Sequence, residues 1–290
     1  MISIFKKEVR TYFTQMTGYI FLAFMLFLIG LFFTFNSLMS RDGNFQNVLT
    51  STTLFYLFLI PLLTMRLFSE EAKNKTDQLL FTSPLSVVQI VLGKYFAALA
   101  LFLVGASVTF LFPLMLSRYT SAVPMPVSRI VGAYTGWLLV GACCIAVGVF
   151  ISVLTENQII AAASTFGALF LMFLMEGFAS VMPTSTFASF MFVGLVIVAV
   201  AGIWFNSTRN VLSSAVVAVF GLIVAAGLYL FNNLIYDGII VRVLRWFSVY
   251  ARYESFAVGI LNLNDIVYYV SFCILFIYLT INVIEKRRWS

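Results

Sequence analysis

Long apolar runs alternate with short polar stretches along this chain, and the runs are continuous instead of alternating residue by residue. They cover 19–37, 49–67, 88–116, 130–154, 159–182, 187–205, 211–230 and 266–284. A hydrocarbon core about 30 Å thick needs about 20 apolar helical residues per crossing. Uninterrupted runs of that length suit helices, whereas barrel strands alternate with a period of two. The pattern therefore predicts an all-α integral membrane protein, a polytopic helical bundle of about eight transmembrane helices. Only Asn206 to Asn210 (NSTRN) separates the sixth and seventh runs. Counting that pair as a re-entrant element leaves the alternative of about six spans, and both counts put the two termini on one side.

Two polar elements interrupt the pattern near its start. In MISIFKKEVRTYFTQM, the residues Ile2, Phe5, Val9, Tyr12, Phe13 and Met16 share an arc of about 100° at helical spacing, and Lys6, Lys7, Glu8, Arg10, Thr11, Thr14 and Gln15 fill the rest. This predicts an amphipathic interfacial helix over residues 1–17, apolar side toward the bilayer, with Gly18 turning the chain into the first span. Its polar face is also a candidate contact for a cytoplasmic partner.

The second element is RLFSEEAKNKTDQLLFTSPLS, residues 66–86. Ser69 is placed as an N-cap, Glu70 and Glu71 suit the positive end of a helix dipole, and Glu71 pairs with Lys75 at i,i+4. A short helix over 69–80 is expected, solvated at its charged start and moored on the bilayer through Leu79, Leu80 and Phe81. Thr82, Ser83 and Pro84 then break it before the next span. Carboxylates Glu70, Glu71 and Asp77 have no histidine, cysteine or serine–base arrangement beside them, so the segment reads as a lever and not as an active site.

Smaller features complete the survey. The loop Thr155, Glu156, Asn157, Gln158 is a short polar turn on the same side as the lever, and Lys94 is expected near that interface. Residues 232–265 mix arginines with Trp246, Phe247, Tyr250, Tyr253 and Phe256, the composition of an interfacial belt that serves as an anchor or as an exit-side gate. Glu176 is the one acidic residue within the runs and a candidate gate or intramembrane polar site. Pro61 and Pro113 are candidate kinks, and Gly132 with Gly136 forms a GxxxG permitting close helix packing.

Composition agrees with the pattern: 62% of residues are hydrophobic, 10% are charged and mean hydropathy is +1.05, against roughly 25% charged in a soluble domain. With the N-terminus in the cytoplasm, every lysine falls on the inner side, and only Arg41, Arg118, Arg129, Arg242, Arg245 and Arg252 fall outside. N-in and C-in is therefore the expected topology. A net charge of +6 is accounted for by topology and anionic lipid, with no need for nucleic acid. The charged start MISIFKKEVR gives no sign of a cleavable signal peptide. Three cysteines and no histidine leave little from which to build a metal or nucleophilic site, and the cysteines read as small apolar core residues.

The phosphate-binding pattern GxxxxGK[ST] is absent, so nucleotide hydrolysis, if used, belongs to another chain. Ion coupling would call for buried carboxylates or histidines at broken midplane helices, and Glu176 is the single candidate. An ion-coupled secondary transporter is the alternative reading; a membrane scaffold or intramembrane enzyme is a third.

The order of amphipathic helix, two spans, the stretch RLFSEEAKNKTDQLLFTSPLSVVQIVLGKYF and further spans resembles the permease subunit of ABC transporters of the type-2 exporter class. Glu71, Thr76, Leu79, Leu80, Ser83 and Pro84 match the family's coupling helix, and SVLTENQIIAA (152–162) resembles its second cytoplasmic loop. SVYARYESFAVGILNLNDIVYYVSF and the C-terminal EKRRW resemble the gliding-motility-type subgroup. The resemblance implies one transmembrane permease domain over 1–290, with the coupling helix at 69–84 and an extracytoplasmic segment at 232–265.

It further implies a bacterial cytoplasmic-membrane location and a second permease copy or homologous permease. A cytoplasmic ATP-binding cassette ATPase dimer would carry ATP and Mg, this chain binding no cofactor, and in this subgroup there is often an extracytoplasmic auxiliary subunit. ATPase-contact residues implied in this way are Phe5, Glu8, Glu70, Glu71, Lys73, Lys75, Thr76, Leu79, Leu80, Thr155, Glu156 and Asn157. The family usually has six spans, two fewer than counted here. The apolar spans suit lipid-like or amphipathic cargo over a small ion, but lipid-facing surfaces alone give the same composition.

Overall fold

The computed structural model describes residues 1–40, 44–76, 85–119 and 127–289, and no strand occurs among them. Their helices are α1 (Ile2–Thr14), α2 (Met16–Phe33, continued by a π-helical turn Thr34–Met39), α3 (Phe45–Thr53), α4 (Tyr56–Thr64), α5 (Ser69–Lys73), α6 (Val87–Thr109) and α7 (Leu111–Tyr119). There follow α8 (Val127–Leu154), α9 (Gln158–Val181), α10 (Thr186–Thr208), α11 (Val211–Phe231), a 3₁₀ turn (Asn233–Tyr236), α12 (Ile239–Phe247), α13 (Tyr253–Ala257) and α14 (Leu263–Trp289). Among the described residues, 7 helices are long and apolar enough to cross a membrane, or up to 8 if the bent pair α3 and α4 is one span. The protein is an all-α multi-pass membrane protein. The helices fall on the runs of the hydropathy pattern, and α10 and α11 are each long enough to cross.

The second run differs in detail. It begins at Phe45, earlier than expected, and bends by 59° between α3 and α4, upstream of Pro61. Hydroxyls bond back to the helix just before the break: Thr52 Oγ1 donates to the Leu49 carbonyl at 2.9 Å and Thr53 Oγ1 to the Thr50 carbonyl at 2.6 Å. Two adjacent bonds of this kind compete with the helix ladder and favour a bend at this point. Pro113 stands in the first turn of α7, where a missing N–H is tolerated. The Thr109 carbonyl, four residues back, accepts instead from the Tyr134 hydroxyl at 2.9 Å.

Contacts divide the chain into two compact units, Met1–Phe173 with Val249–Ser290, and Leu174–Ser248. In the first, α8 is the hub, packed against α3, α4, α6, α13 and α14. Its sequence explains this, because glycine, alanine and cysteine recur along it and let neighbouring backbones approach. At Gly136 a Cβ would collide with the Phe256 side chain, and at Gly132 it would fall 2.8 Å from Gly259 Cα. The GxxxG therefore seats α13 and the turn after it, where Gly259 adopts φ +90°. Cys143 Sγ lies 3.4 Å from Cys273 Sγ in the α8–α14 contact, and all three cysteines are free thiols.

Tyrosine hydroxyls stitch this unit together by donating to carbonyls of other elements: Tyr56 to Trp137 at 2.9 Å, Tyr269 to Val249 at 2.9 Å and Tyr95 to Ala142 at 3.3 Å. At its edge, Arg252 pairs with Asp265 at 3.1 Å and lies over the Tyr268 ring.

The second unit is centred on the hairpin α10–α11. Arg209 turns the chain in a left-handed conformation, and the Asn210 side chain caps α11 by accepting from the Leu212 and Ser213 amides. At the other end, Phe190, Tyr229 and Tyr236 form an aromatic cluster, fixed by a 2.8 Å bond from the Tyr236 hydroxyl to the Ala225 carbonyl.

Substituting Gly136→Ala should destabilise the protein by about 1–3 kcal/mol through overpacking against Phe256. Gly227→Ala, where a Cβ meets nothing within 4 Å, should be neutral or mildly stabilising. Thermal unfolding in detergent distinguishes the two, and equal behaviour would remove α13 from its seat on α8.

Candidate functional site

The charged residues near the chain's start converge on Lys94, two turns into α6. Its ammonium is 1% exposed and sits 3.1 Å from Glu8 Oε1 of α1 and 2.9 Å from Glu71 Oε2 of α5. It also donates to the Leu67 carbonyl and lies 4.9 Å from the centroid of the Phe68 ring. An ammonium has three protons to donate, and three acceptors on two other segments are present. Burying it without them would cost several kcal/mol, about the effective penalty for an unpaired ion.

Around this centre, Lys7 Nζ is 3.2 Å from Glu71 Oε1 and 3.9 Å from Glu8 Oε1. The four residues make a neutral quartet. Arg66 forms a bidentate pair with Glu70, both contacts 2.8 Å, which holds the guanidinium firmly charged. Beside it, Tyr12 donates to the Leu63 carbonyl at 3.1 Å. Burial first, and then the Glu8 carboxylate, push the Tyr12 phenol far up, so it remains a donor.

This arrangement corrects the expected α1. The helix docks on α6 and α2 through Ile4, Glu8 and Tyr12. A Cβ at Gly93 of α6 would lie 3.0 Å from Ile4 Cγ2, so glycine allows the close approach. Glu8, expected on the polar face, is buried because it answers Lys94. Phe5 is half-buried against the core. Ile2, Phe13 and Met16 remain exposed as an apolar fringe.

The lever also differs from expectation. Its helix is the five-residue Ser69–Lys73. Ser69 does not cap it; its hydroxyl turns back to the Met65 carbonyl. The opening amides are satisfied from α8, where Ser152 Oγ accepts from Phe68 N at 3.1 Å and Ser69 N at 3.3 Å. The helix closes by a Schellman motif, with Thr76 N bonded to the Glu71 carbonyl, Lys75 N to the Ala72 carbonyl, and Lys75 at φ +55° where glycine is usual. Glu71 consequently pairs with Lys94 and Lys7 instead of Lys75. Thr76 Oγ1 bonds the Glu71 carbonyl at 3.3 Å. Leu79 and Leu80, with Asp77 and the Ser83–Pro84 stop, lie outside the described residues.

The remaining predicted residues form a neighbouring cleft of about 430 Å³, lined by Lys73, Glu156, Asn157, Gln158 and Ile159. Thr155 and Asn157 shape the turn: Thr155 Oγ1 accepts from Asn157 N at 3.2 Å and Asn157 Oδ1 from Ile159 N at 2.9 Å. Glu156 is exposed. Glu176 belongs to the second unit and is half-buried on α9.

Lys94, Arg66 and Ser152 are the members that sequence reasoning left out. Lys94 carried a usable signal, because it is the one charged residue in the apolar stretch from Val87 to Thr109. Chemically, every carboxylate in the cluster already holds a cation, an arrangement suited to tying segments together. Lys94→Ala should destabilise the protein by about 3–5 kcal/mol by stranding Glu8 and Glu71. Adding Glu8→Gln and Glu71→Gln to Lys94→Met should recover much of that loss in a detergent unfolding assay; no recovery would mean that the pairing is not what holds α1 and α5.

Residues 34–192 match the model of the ABC-2 family transporter protein. No curated protein and no solved structure matches the chain. The matched stretch contains α3 to α9, and with them Arg66, Glu70, Glu71, Lys94, Ser152 and the 155–158 turn; α1 with Glu8 precedes it. With more than half of its length so matched, and with helices able to cross a membrane at least seven times, the chain belongs to the ABC-2 transporter family of membrane transport components.

Proposed function

We propose that this chain is the permease subunit of an ATP-binding cassette exporter, driven by ATP hydrolysis on a separate cytoplasmic ATPase dimer that carries the ATP and Mg. The observation that carries this reading is the way α5 is held. Lys94 ties it to α6 and, through Glu8, to α1, while Ser152 ties its start to α8. A push on α5 is therefore delivered directly to two long apolar helices, one of them the hub of its unit. Rigid-body movement of such helices is how small displacements at an effector site become a change of access.

In this reading α1, α5 and the 155–158 turn face the cytoplasm, both termini are inside, and the membrane is the bacterial cytoplasmic membrane. Two permeases, identical or homologous, assemble with the ATPases. The stretch 248–272 and the terminal EKRRW support placement in the gliding-motility-type subgroup, and with it an extracytoplasmic auxiliary subunit.

Reconstituted with the ATPase that copurifies from its native membrane, the permease should stimulate ATP hydrolysis. The volume-preserving triple variant Glu8→Gln, Glu71→Gln, Lys94→Met should keep the complex but lose stimulation several-fold. Full stimulation by this variant would show that the thrust does not pass through the cluster. Topology is checked separately: epitope tags at both termini should resist protease added outside intact spheroplasts, and cleavage of either tag would overturn the N-in and C-in arrangement.

A further inference from the structure

Of the carboxylates that the sequence offers as docking charges, those of α1 and α5 are taken up by internal cations, whereas Glu156 is exposed. Glu8, Glu70 and Glu71 each hold a cation at 3.2 Å or less. What faces outward on α1, α5 and the turn that closes α5 is basic: Lys6, Arg10, Lys73 and Lys75 are exposed, and none has an ion-pair partner among the described residues. Lys7 adds to this face, with 57% of its side chain exposed despite its contact with Glu71. Beside Lys73 lies the cleft formed with Glu156, Asn157, Gln158 and Ile159, and Ile159 is 78% exposed.

We infer that this end of the protein is recognised through its lysines, as a basic rim around an apolar anchor, and that its partner presents an acidic groove with an apolar floor. The inference deepens the exporter reading and depends on it: the partner is the ATPase, and the sign of its docking surface is negative. Interfaces of this kind draw their anchoring from a desolvated apolar side chain and their orientation from complementary rim charges. Ile159 and the lysines supply those two parts. A plane of anionic lipid headgroups fits less well. Its phosphates only accept hydrogen bonds, so the Glu156 carboxylate and the Gln158 side-chain carbonyl at the cleft would go unanswered, whereas protein side chains offer donors as well.

The experiment uses the full-length permease in nanodiscs, prepared once in purely zwitterionic lipid and once with phosphatidylglycerol added, and incubated with the copurified ATPase, identified by mass spectrometry through its GxxxxGK[ST] peptide. Lys73→Glu with Lys75→Glu should weaken ATPase retention by about tenfold or more, because like charges would then face each other across the rim. Lys73→Gln with Lys75→Gln should fall between this and wild type. Both effects should appear in both lipids, with thermal unfolding of the permease unchanged because the side chains are exposed.

Retention unaffected by charge reversal would overturn the inference while leaving the exporter reading standing. Loss confined to nanodiscs containing phosphatidylglycerol would assign the lysines to headgroups and overturn it as well. If the wild-type chain retains no protein with a phosphate-binding loop, the exporter reading fails and takes the inference with it.

Discussion

A lysine ammonium shielded from solvent to 1% must be answered by acceptors, and the helix that carries Lys94 supplies none. The first turns of α6 offer apolar side chains and a glycine on that side, so the answering groups come from elsewhere: a carboxylate of α1, a carboxylate of α5 and the carbonyl of Leu67. The position of three segments separated widely in sequence follows from this one requirement. Such a site is a poor source of net stability, since desolvation consumes most of the Coulombic gain. Its value is geometric, because any arrangement that leaves one member behind is heavily penalised.

The rest of the first unit is built on a different economy. Apolar side chains gain little by leaving lipid for protein, so helix association depends on close fit and on hydrogen bonds between helices. Both are present around α8. Small residues admit Phe102, Thr64 and Phe256 against its backbone, and tyrosines reach from one element to the carbonyls of another. Ser152 belongs to the same scheme, a hydroxyl on the hub that satisfies amides at the start of a helix too short to satisfy itself.

Spans were legible in the sequence because membrane thickness imposes a length and polarity that no soluble helix needs, and the runs ending near Leu154, Val181 and Phe231 show it. The lever was legible only as a polar interruption. Local rules placed Ser69 as cap and Lys75 as partner of Glu71; both failed for the same reason, because long-range groups outcompeted local ones. Ser152, 83 residues away, took the amides, and Lys94 took the carboxylate. The helix end was hidden too, since a lysine in the left-handed region carries no sequence signature of the kind glycine gives. Amphipathic periodicity likewise could not reveal that Glu8 faces inward, for a buried acid looks like a surface acid until its base is known.

The sheathing of α8 has a consequence for how the protein meets bilayers of different thickness. With 28 residues it is about 42 Å long, well beyond a hydrocarbon core of about 30 Å. A lipid-facing helix of that length would have to tilt or thicken the bilayer around it. Because protein surrounds α8 on most sides, its excess length is invisible to lipid. Hydrophobic mismatch is felt instead by helices with little protein around them, among them α10 and α11, 23 and 21 residues long, which lie close to the bilayer's own dimension. The helix at the centre of the mechanical unit is thus insulated from membrane composition, and sensitivity to bilayer thickness is left to the helices that protein covers sparsely.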